Sequence, residues 1–243
     1  MILSANKLIS CSPVHEEWQE LLNVALQTVD NDYLKEIQTD ESWLPGLNRL
    51  FSAFSLPLSR VKYILLGESP YPREESANGY AFWDDSVGSL WSESGLSKSV
   101  NRATSLRNWM KALLLARGDL QDDLSQQAIA RIDKSGLVQT AEAFFQGMMK
   151  KGFLLLNASL IYSKGEMKYH AKHWRPFIHS ILCQLEVISP SIQLVLFGKI
   201  ADNVPKTSLK TALMAEHPFN ISFITNPAVL SFFKPFDLLA RYE

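Results

Sequence analysis

Four short apolar runs constrain the fold of this chain more than any other feature of its sequence. They cover residues 61–66, 153–156, 194–197 and 213–215, and each is followed by glycine, asparagine or a histidine-proline turn. Segments with the apolar spacing of helices alternate with these runs. Short buried strands that alternate with helices are typical of a parallel sheet covered on both faces. The sequence therefore predicts an α/β fold, a central four-stranded, mostly parallel sheet flanked by helices, in a single domain over residues 1–243.

The helices are predicted from apolar residues that recur every three or four positions. They cover residues 15–29, 47–54, 105–115, 140–151 and 176–185. In the third of these, Leu106, Trp109, Met110 and Leu113 share one face. Residues 68–78 carry prolines and charged residues and are predicted to form a loop.

The composition restricts the class of protein and of binding surface. Hydrophobic residues make up 47% of the chain and the formal net charge is −1, so a DNA-binding surface has to be local. Two basic stretches, residues 164–175 and 199–210, are candidate loops for it. Two cysteines are too few for a disulfide framework or an iron–sulfur cluster. With no signal peptide or 18-residue apolar stretch, the sequence predicts a soluble, cytoplasmic protein without a membrane partner.

Polar and turn-forming residues follow all four predicted strands. These strand ends carry residues 67–71, 157–159, 198–199 and 217–218. In open α/β sheets, ligands bind beyond the carboxyl ends of the strands. The topology alone therefore predicts a binding site built from four distant parts of the chain.

Four motifs around these strand ends resemble those of the uracil-DNA glycosylase family, in the same order and with matching spacing. They are GESPY at residues 67–71, ANGYAF at 77–82, GFLLLN at 152–157 and HPFNIS at 217–222. The match extends over roughly residues 63–238. The resemblance implies a three-layer fold and a monomeric enzyme that flips a uracil out of single- or double-stranded DNA. It also implies hydrolysis of the N-glycosidic bond without a metal or a cofactor.

The resemblance assigns roles to four residues of the expected pocket. Phe82 would stack on the flipped base, and Asn157 would hydrogen-bond its Watson–Crick edge. Tyr71 would lie against C5 and exclude the methyl group of thymine. His217 would stabilise the negative charge that develops on uracil O2. An amide suits the task of Asn157 because it offers both a donor and an acceptor.

The first motif departs from the family pattern at the position of the catalytic aspartate, which here is Ser69. A neutral hydroxyl cannot supply the negative charge that a cationic sugar attracts. Glu68 precedes it, as in the glycine-glutamate-alanine-proline start of the iron–sulfur branch of the superfamily. Two interpretations of Glu68 stay open: a surrogate catalytic carboxylate, or a residue that makes only a structural hydrogen bond or an ion pair, for example with Arg73.

Five further residues are candidates for contacts with DNA. By resemblance, His170 contacts a phosphate, and Ser105, Lys199 and Ser222 belong to loops that hold the backbone. Ile221 takes the position of an apolar wedge that fills the gap left by the flipped base.

Three functions are compatible with these observations. The first is an active glycosylase for uracil. The second is an enzyme of the same fold for a modified pyrimidine. The third is a weakly active or inactive DNA-binding paralogue, which Ser69 favours and the retention of Asn157 and His217 disfavours. An inhibitor protein or accessory protein is a further candidate partner.

Overall fold

A four-stranded parallel sheet forms the centre of the computed structural model, which describes residues 3–40 and 42–241. The six strands are β1 (Tyr63–Gly67), β2 (Trp91–Ser92), β3 (Gly95–Leu96), β4 (Phe153–Asn157), β5 (Gln193–Phe197) and β6 (Thr211–Ala215). The sheet has the order β4-β1-β5-β6, and all three pairings are parallel. Strands β2 and β3 form a separate antiparallel pair. The predicted four-stranded α/β fold is therefore confirmed.

Ten helices accompany the strands in the described residues. They are α1 (Ala5–Ser10), α2 (Gln19–Leu26), α3 (Asn31–Thr39), α4 (Lys98–Arg102), α5 (Thr104–Arg117), α6 (Gln126–Ala130), α7 (Ala141–Lys150), α8 (Met167–Ile188), α9 (Ile200–Asn203) and α10 (Pro227–Phe233). In this part of the chain, no helix is long and apolar enough to span a membrane.

The strands separate two hydrophobic cores because successive side chains of a strand point to opposite faces. On β1, Ile64 and Leu66 belong to the first core and Leu65 belongs to the second. Helices α1, α2, α3 and α8 complete the first core, and α5, α7 and α10 complete the second. The sheet is thus the middle of three layers.

Residues 47–54 do not form the single helix that their spacing predicts. They contain two 3₁₀ turns, Leu47–Arg49 and Ser52–Ser55. The amide of Phe51 donates to the hydroxyl of Ser12 at 3.1 Å and so makes no bond to the preceding helical turn. Leu50, Phe51 and Phe54 are all buried, so the segment packs on several sides instead of presenting one apolar stripe.

Helix α8 begins at Met167, nine residues before the predicted start at Pro176. A proline is common in the first turn of a helix, which is why Pro176 predicts a helix start. Here it lies inside the helix, where it removes one backbone hydrogen bond. The basic stretch of residues 164–175, predicted to be a loop, is therefore mostly helical.

Candidate active site

A cavity of about 340 Å³ lies at the carboxyl edge of the sheet, where β1 and β4 end side by side. The structure brings six of the predicted catalytic and substrate-binding residues together around it, with the predicted DNA contact Ser105. They are Glu68, Ser69, Tyr71, Phe82, Asn157 and His217. Tyr162 and Met167 also line the cavity and were not predicted. We call this cavity the base pocket.

Asn157 contributes to the base pocket an amide donor that has no hydrogen-bond partner in the described residues. It is the last residue of β4, is 2% exposed, and its Nδ2 has no hydrogen-bond partner among the described residues. A Cβ atom at Gly67 would lie 2.6 Å from Asn157 Oδ1, so only glycine leaves room for this side chain. A buried donor left unsatisfied costs about 1–3 kcal/mol, and a ligand acceptor would remove that cost.

Phe82 presents its half-buried ring to the same pocket. Its backbone has φ 64°, a left-handed conformation that is uncommon for a residue with a large side chain. Phe197 and Trp109 meet the ring edge-on at centroid distances of 5.8 Å, and the Tyr71 hydroxyl donates to the Phe82 carbonyl at 3.3 Å. Such backbone strain costs about 1–3 kcal/mol and persists only where the surroundings enforce it. These contacts keep the ring beside His217, at a centroid distance of 5.7 Å.

The loop after Tyr71 is attached to the rest of the protein by an ion pair between Arg73 and Asp84, so Arg73 is not the partner that was suggested for Glu68. Arg73 pairs with Asp84 at 3.2 Å and with Glu75 at 3.8 Å. Asp84 is 4% exposed, whereas the Arg73 side chain is 55% exposed, so only the carboxylate side of the pair is shielded from solvent. In the described residues Arg73 makes no ion pair with Glu68, and the suggested structural pair between them is therefore wrong. Burial raises the pKa of Tyr71, which keeps its phenol neutral.

His217 is held as a neutral imidazole with a defined tautomer. The Phe219 amide donates to Nδ1 at 3.1 Å, so Nδ1 is the acceptor and Nε2 carries the proton. Burial lowers the pKa of His217, while the nearby charge of Glu68 acts in the opposite direction. Because the ring lines the base pocket, its Nε2–H is left to donate to a ligand there.

Asn108 of α5 holds the loop that carries His217. Its Nδ2 donates to the carbonyls of Pro218 at 2.8 Å and Phe219 at 3.2 Å, and Asn108 is 3% exposed. Asn108 was not among the residues predicted from the sequence. An asparagine among the apolar positions of a helix was the available signal, because a buried amide needs polar partners.

Glu68 is exposed and makes no ion pair within the described part of the chain. Its backbone carbonyl accepts from the Ser159 amide at 2.9 Å, which ties the loop after β1 to the loop after β4. Among the described residues, the Ser69 hydroxyl has one partner, the Pro70 carbonyl at 3.5 Å, which is the weak end of a hydrogen bond. Of the described residues that line the base pocket, Glu68 is the one that carries a carboxylate.

Comparison with known proteins supports what this geometry suggests. Residues 55–237, about three quarters of the chain, match the sequence profile of the uracil DNA glycosylase superfamily. The chain belongs to this superfamily.

Individual relatives cover nearly the whole chain. The uracil-DNA glycosylase of Helicobacter pylori (strain Shi470) is 29% identical over 234 residues, which are 89% of this chain and 88% of that protein. The Fusobacterium nucleatum enzyme of the same name is 27% identical over 220 residues, covering 87% and 84%. The crystal structure of the wild-type UNG from Nitratifractor salsuginis is 42% identical with a TM-score of 0.91, covering 97% of this chain and 96% of that one.

Four of the five residues predicted to contact DNA either line the base pocket or are exposed to solvent in this member of the uracil DNA glycosylase superfamily. Ser105, in the first turn of α5, lines the base pocket. Lys199 follows β5 at the same edge of the sheet and is exposed. Ile221 is 81% exposed, and its neighbour Ser222 is exposed as well. Phe219, 64% exposed, adds a second apolar side chain beside Ile221.

His170 lies in the protein interior, at 2% exposure, instead of at the surface where a phosphate would bind. Its Nδ1 is hydrogen-bonded to the hydroxyl of Tyr33 at 2.9 Å, and its Nε2 lies 3.6 Å from a carboxylate oxygen of Glu166. The early start of α8 explains this position, because the helix turns His170 toward α3. In this structure the ring has no surface from which to contact a phosphate.

Proposed function

We propose that this protein is a uracil-DNA glycosylase that hydrolyses the N-glycosidic bond of a uracil flipped out of DNA. The observation that carries the proposal is the pair of donors in the base pocket: the unpartnered Nδ2 of Asn157 and the Nε2–H of His217. A protein that only holds DNA needs neither. The half-buried ring of Phe82 provides the surface on which a flipped base stacks.

The amide of Asn157 matches the edge of uracil. Uracil offers an acceptor at O4 and a donor at N3, and the amide offers Nδ2–H and Oδ1. Cytosine carries an amino group in place of O4, which would face the Nδ2 donor and leave it unpaired. Leaving buried polar groups unpaired is the strongest way for a site to reject a similar ligand. Tyr71, close to Phe82, is placed to exclude a methyl group at C5.

The reaction separates two opposite charges. When the bond from C1′ of the sugar to N1 of uracil breaks, its electron pair moves into the ring and reaches O2, where His217 Nε2–H donates to it. The sugar becomes a cation until water adds to C1′, and the proton that this water loses ends on the uracil anion. The carboxylate of Glu68 stabilises this cation and orients the water, in place of the charge that Ser69 lacks. The products are uracil and an abasic site, and no other reactant is needed.

The exposed residues at the pocket rim bind the DNA around the flipped nucleotide. The hydroxyls of Ser105 and Ser222 and the ammonium of Lys199 contact phosphates. Ile221 enters the base stack at the gap left by the uracil. Because His170 is buried, we assign it no phosphate contact.

Release of free base from an oligonucleotide with a single uracil tests the proposed function. With enzyme in excess, the wild-type protein should release uracil and leave an alkali-labile site, whereas an oligonucleotide with thymine at that position should stay intact. Asn157→Ala and His217→Ala should each lose most of this activity while they still bind the oligonucleotide. Binding by the wild-type protein without base release would contradict the proposal.

A further inference from the structure

A smaller cavity, of about 250 Å³, adjoins the base pocket and shares Tyr71 and Ser105 with it. We call it the side pocket. Phe219 and Arg102 also line it, and Leu106 adds an apolar surface. The recognition of uracil uses neither the ring of Phe219 nor the guanidinium of Arg102. The side pocket therefore has walls whose purpose the base pocket does not explain.

Phe219 presents a large apolar ring to solvent from a backbone that is held on both sides. The residue is 64% exposed. Its amide donates to His217 Nδ1 at 3.1 Å, and its carbonyl accepts from Asn108 Nδ2 at 3.2 Å. Single exposed apolar residues are common and need no explanation. An exposed ring on a fixed backbone beside a cavity differs from them, because its position is set before a ligand arrives.

Arg102 provides a second surface for a planar group. It is the last residue of α4, is exposed, and makes no ion pair within residues 3–40 and 42–241. The other arginine that lines the side pocket, Arg73, is paired with Asp84. An unpaired guanidinium is planar and stacks well on aromatic faces.

The ligand that suits these walls is a nucleobase next to the uracil. Aromatic rings and arginines are the groups on which proteins stack the bases of single strands. The volume of the side pocket is of the same order as the 340 Å³ of the base pocket, which holds one base in the proposed function. Because the two cavities share Ser105, a strand with its uracil in one brings the adjacent nucleotide to the other.

We propose that the side pocket binds the base adjacent to the uracil, which stacks on the ring of Phe219. This inference rests on the proposed function, because the uracil in the base pocket is what brings its neighbour there. Stacking uses the face that every base has, so the site tolerates any neighbour. In a duplex the neighbour must first leave its own stack and its partner, so the site favours single strands.

Binding of a single-stranded oligonucleotide, measured by fluorescence anisotropy, tests the role of the ring. Fluorination of the uridine at C2′ slows hydrolysis by destabilising the sugar cation, so binding is measured apart from catalysis. Phe219→Ala should bind about tenfold more weakly, as is usual when a base loses its aromatic partner. Phe219→Trp should bind at least as tightly as the wild type. Phe219→Leu is the matched control, since it keeps apolar bulk without a ring, and it should bind as weakly as Phe219→Ala.

A second arm removes the neighbouring base in place of the ring. A tetrahydrofuran abasic site directly before or directly after the uridine should weaken binding to the wild type about tenfold on one of the two sides. In Phe219→Ala this loss should disappear, because the two changes remove the same interaction. Against a duplex with the same uridine, Phe219→Ala should lose less than against the single strand.

Three results would overturn the proposal. Phe219→Leu could bind as tightly as the wild type, or the abasic site could cost the wild type and Phe219→Ala the same. Equal losses by Phe219→Ala on single and double strands would make Phe219 a second wedge beside Ile221. Binding needs no hydrolysis, so a protein that shows the expected dependence on the neighbouring base but releases no uracil would contradict only the proposed function.

Discussion

Asn157 and His217 each present one donor to the base pocket, and the surrounding structure sets that donor before a ligand arrives. The Phe219 amide occupies Nδ1 of His217 and leaves Nε2–H for the pocket. The tight contact with Gly67 limits where the amide of Asn157 can lie. Donors that are already oriented need no reorganisation when charge develops on the base, which is how such sites lower a reaction barrier.

Glu68→Gln should reduce the rate of uracil release by about a hundredfold, because it removes the one carboxylate among the described residues that line the pocket. Binding to DNA should stay intact, since the substitution also removes repulsion of phosphates. Glu74→Gln is the matched control, an exposed glutamate in the loop that follows the same motif. Single-turnover base release measures both variants. Equal rates for Glu68→Gln and the wild type would remove Glu68 from the reaction.

The rate of base release should depend on the protonation of His217. Burial lowers its pKa below the ordinary histidine value of about 6.5, so the active neutral form predominates at pH 7 and is lost as pH falls through the lowered pKa. The lowered pKa of His217 also makes the free energy of unfolding depend on pH. Its contribution to stability is present above about pH 6.5 and is lost as pH falls through the lowered pKa, because the unfolded chain binds the proton more readily.

Two variants test whether the fall of the rate at low pH, the acidic limb of the pH–rate profile, comes from the protonation of His217. In Glu68→Gln the acidic limb should move to lower pH, because the carboxylate charge no longer favours the imidazolium ion. In His217→Gln this limb should be absent from a much slower reaction. An acidic limb at the same pH in His217→Gln would assign the titration to another group.

At the scale of elements, the parallel strands position most of the residues of the site. Strands β1, β4, β5 and β6 run in one direction, so the residues that follow them meet at one edge. Helix α5 adds Asn108, which holds the carbonyls of Pro218 and Phe219. The turn after β5 adds Gly198, which makes room for His217.

Gly198→Ala should impair catalysis as well as stability. Gly198 has φ +65°, and a Cβ atom there would lie 2.8 Å from the Cβ of His217. Alanine in this conformation costs about 1–2 kcal/mol, and the contact would also displace the imidazole. Gly118→Ala is the control, since Gly118 has φ +87° with nothing within 4 Å of an added Cβ. Both variants should lose similar stability in urea unfolding, but only Gly198→Ala should lose base release.

At the scale of the whole molecule, two hydrophobic cores share one sheet. Leu154 and Leu155 are neighbours on β4, and each is buried in a different core. Strands β1, β4 and β5 each contribute side chains to both cores, whereas β6 contributes to the second core alone. Because the two layers share three strands, we expect them to unfold together.

Leu154→Ala and Leu155→Ala should each reduce the free energy of unfolding by about 2–5 kcal/mol, as is usual for large-to-small changes in a core. Each should also lower the midpoint of one common transition, followed by circular dichroism and tryptophan fluorescence in urea. Val187→Ala, at a site 80% exposed, should have little effect. Two separate transitions in either core variant would show that the layers unfold independently, contrary to the single domain predicted for residues 1–243.

Much of the fold and of the pocket could be predicted because their signals are local. Apolar runs of strand length and their turn residues specify β1, β4, β5 and β6, and parallel pairing then brings Gly67, Asn157 and His217 to one edge. Each of these residues lies within or next to a strand end. Their neighbourhood therefore follows from strand direction alone, without knowledge of side-chain packing.

Only the tertiary structure decided which polar residues face the interior and which face DNA. His170 is a basic residue in a basic stretch, yet it packs against Tyr33, 137 residues away in sequence. Asn108 finds its partners 110 and 111 residues further along, and Lys199 in the turn after β5 lines the same cavity as Lys168 and Lys172 of α8. Local periodicity predicts most of the elements, although residues 47–54 form two 3₁₀ turns in place of the helix that their spacing predicts. Long-range packing decides which groups a buried donor binds and whether a charged side chain faces the interior or the solvent. No short stretch of sequence encodes that packing.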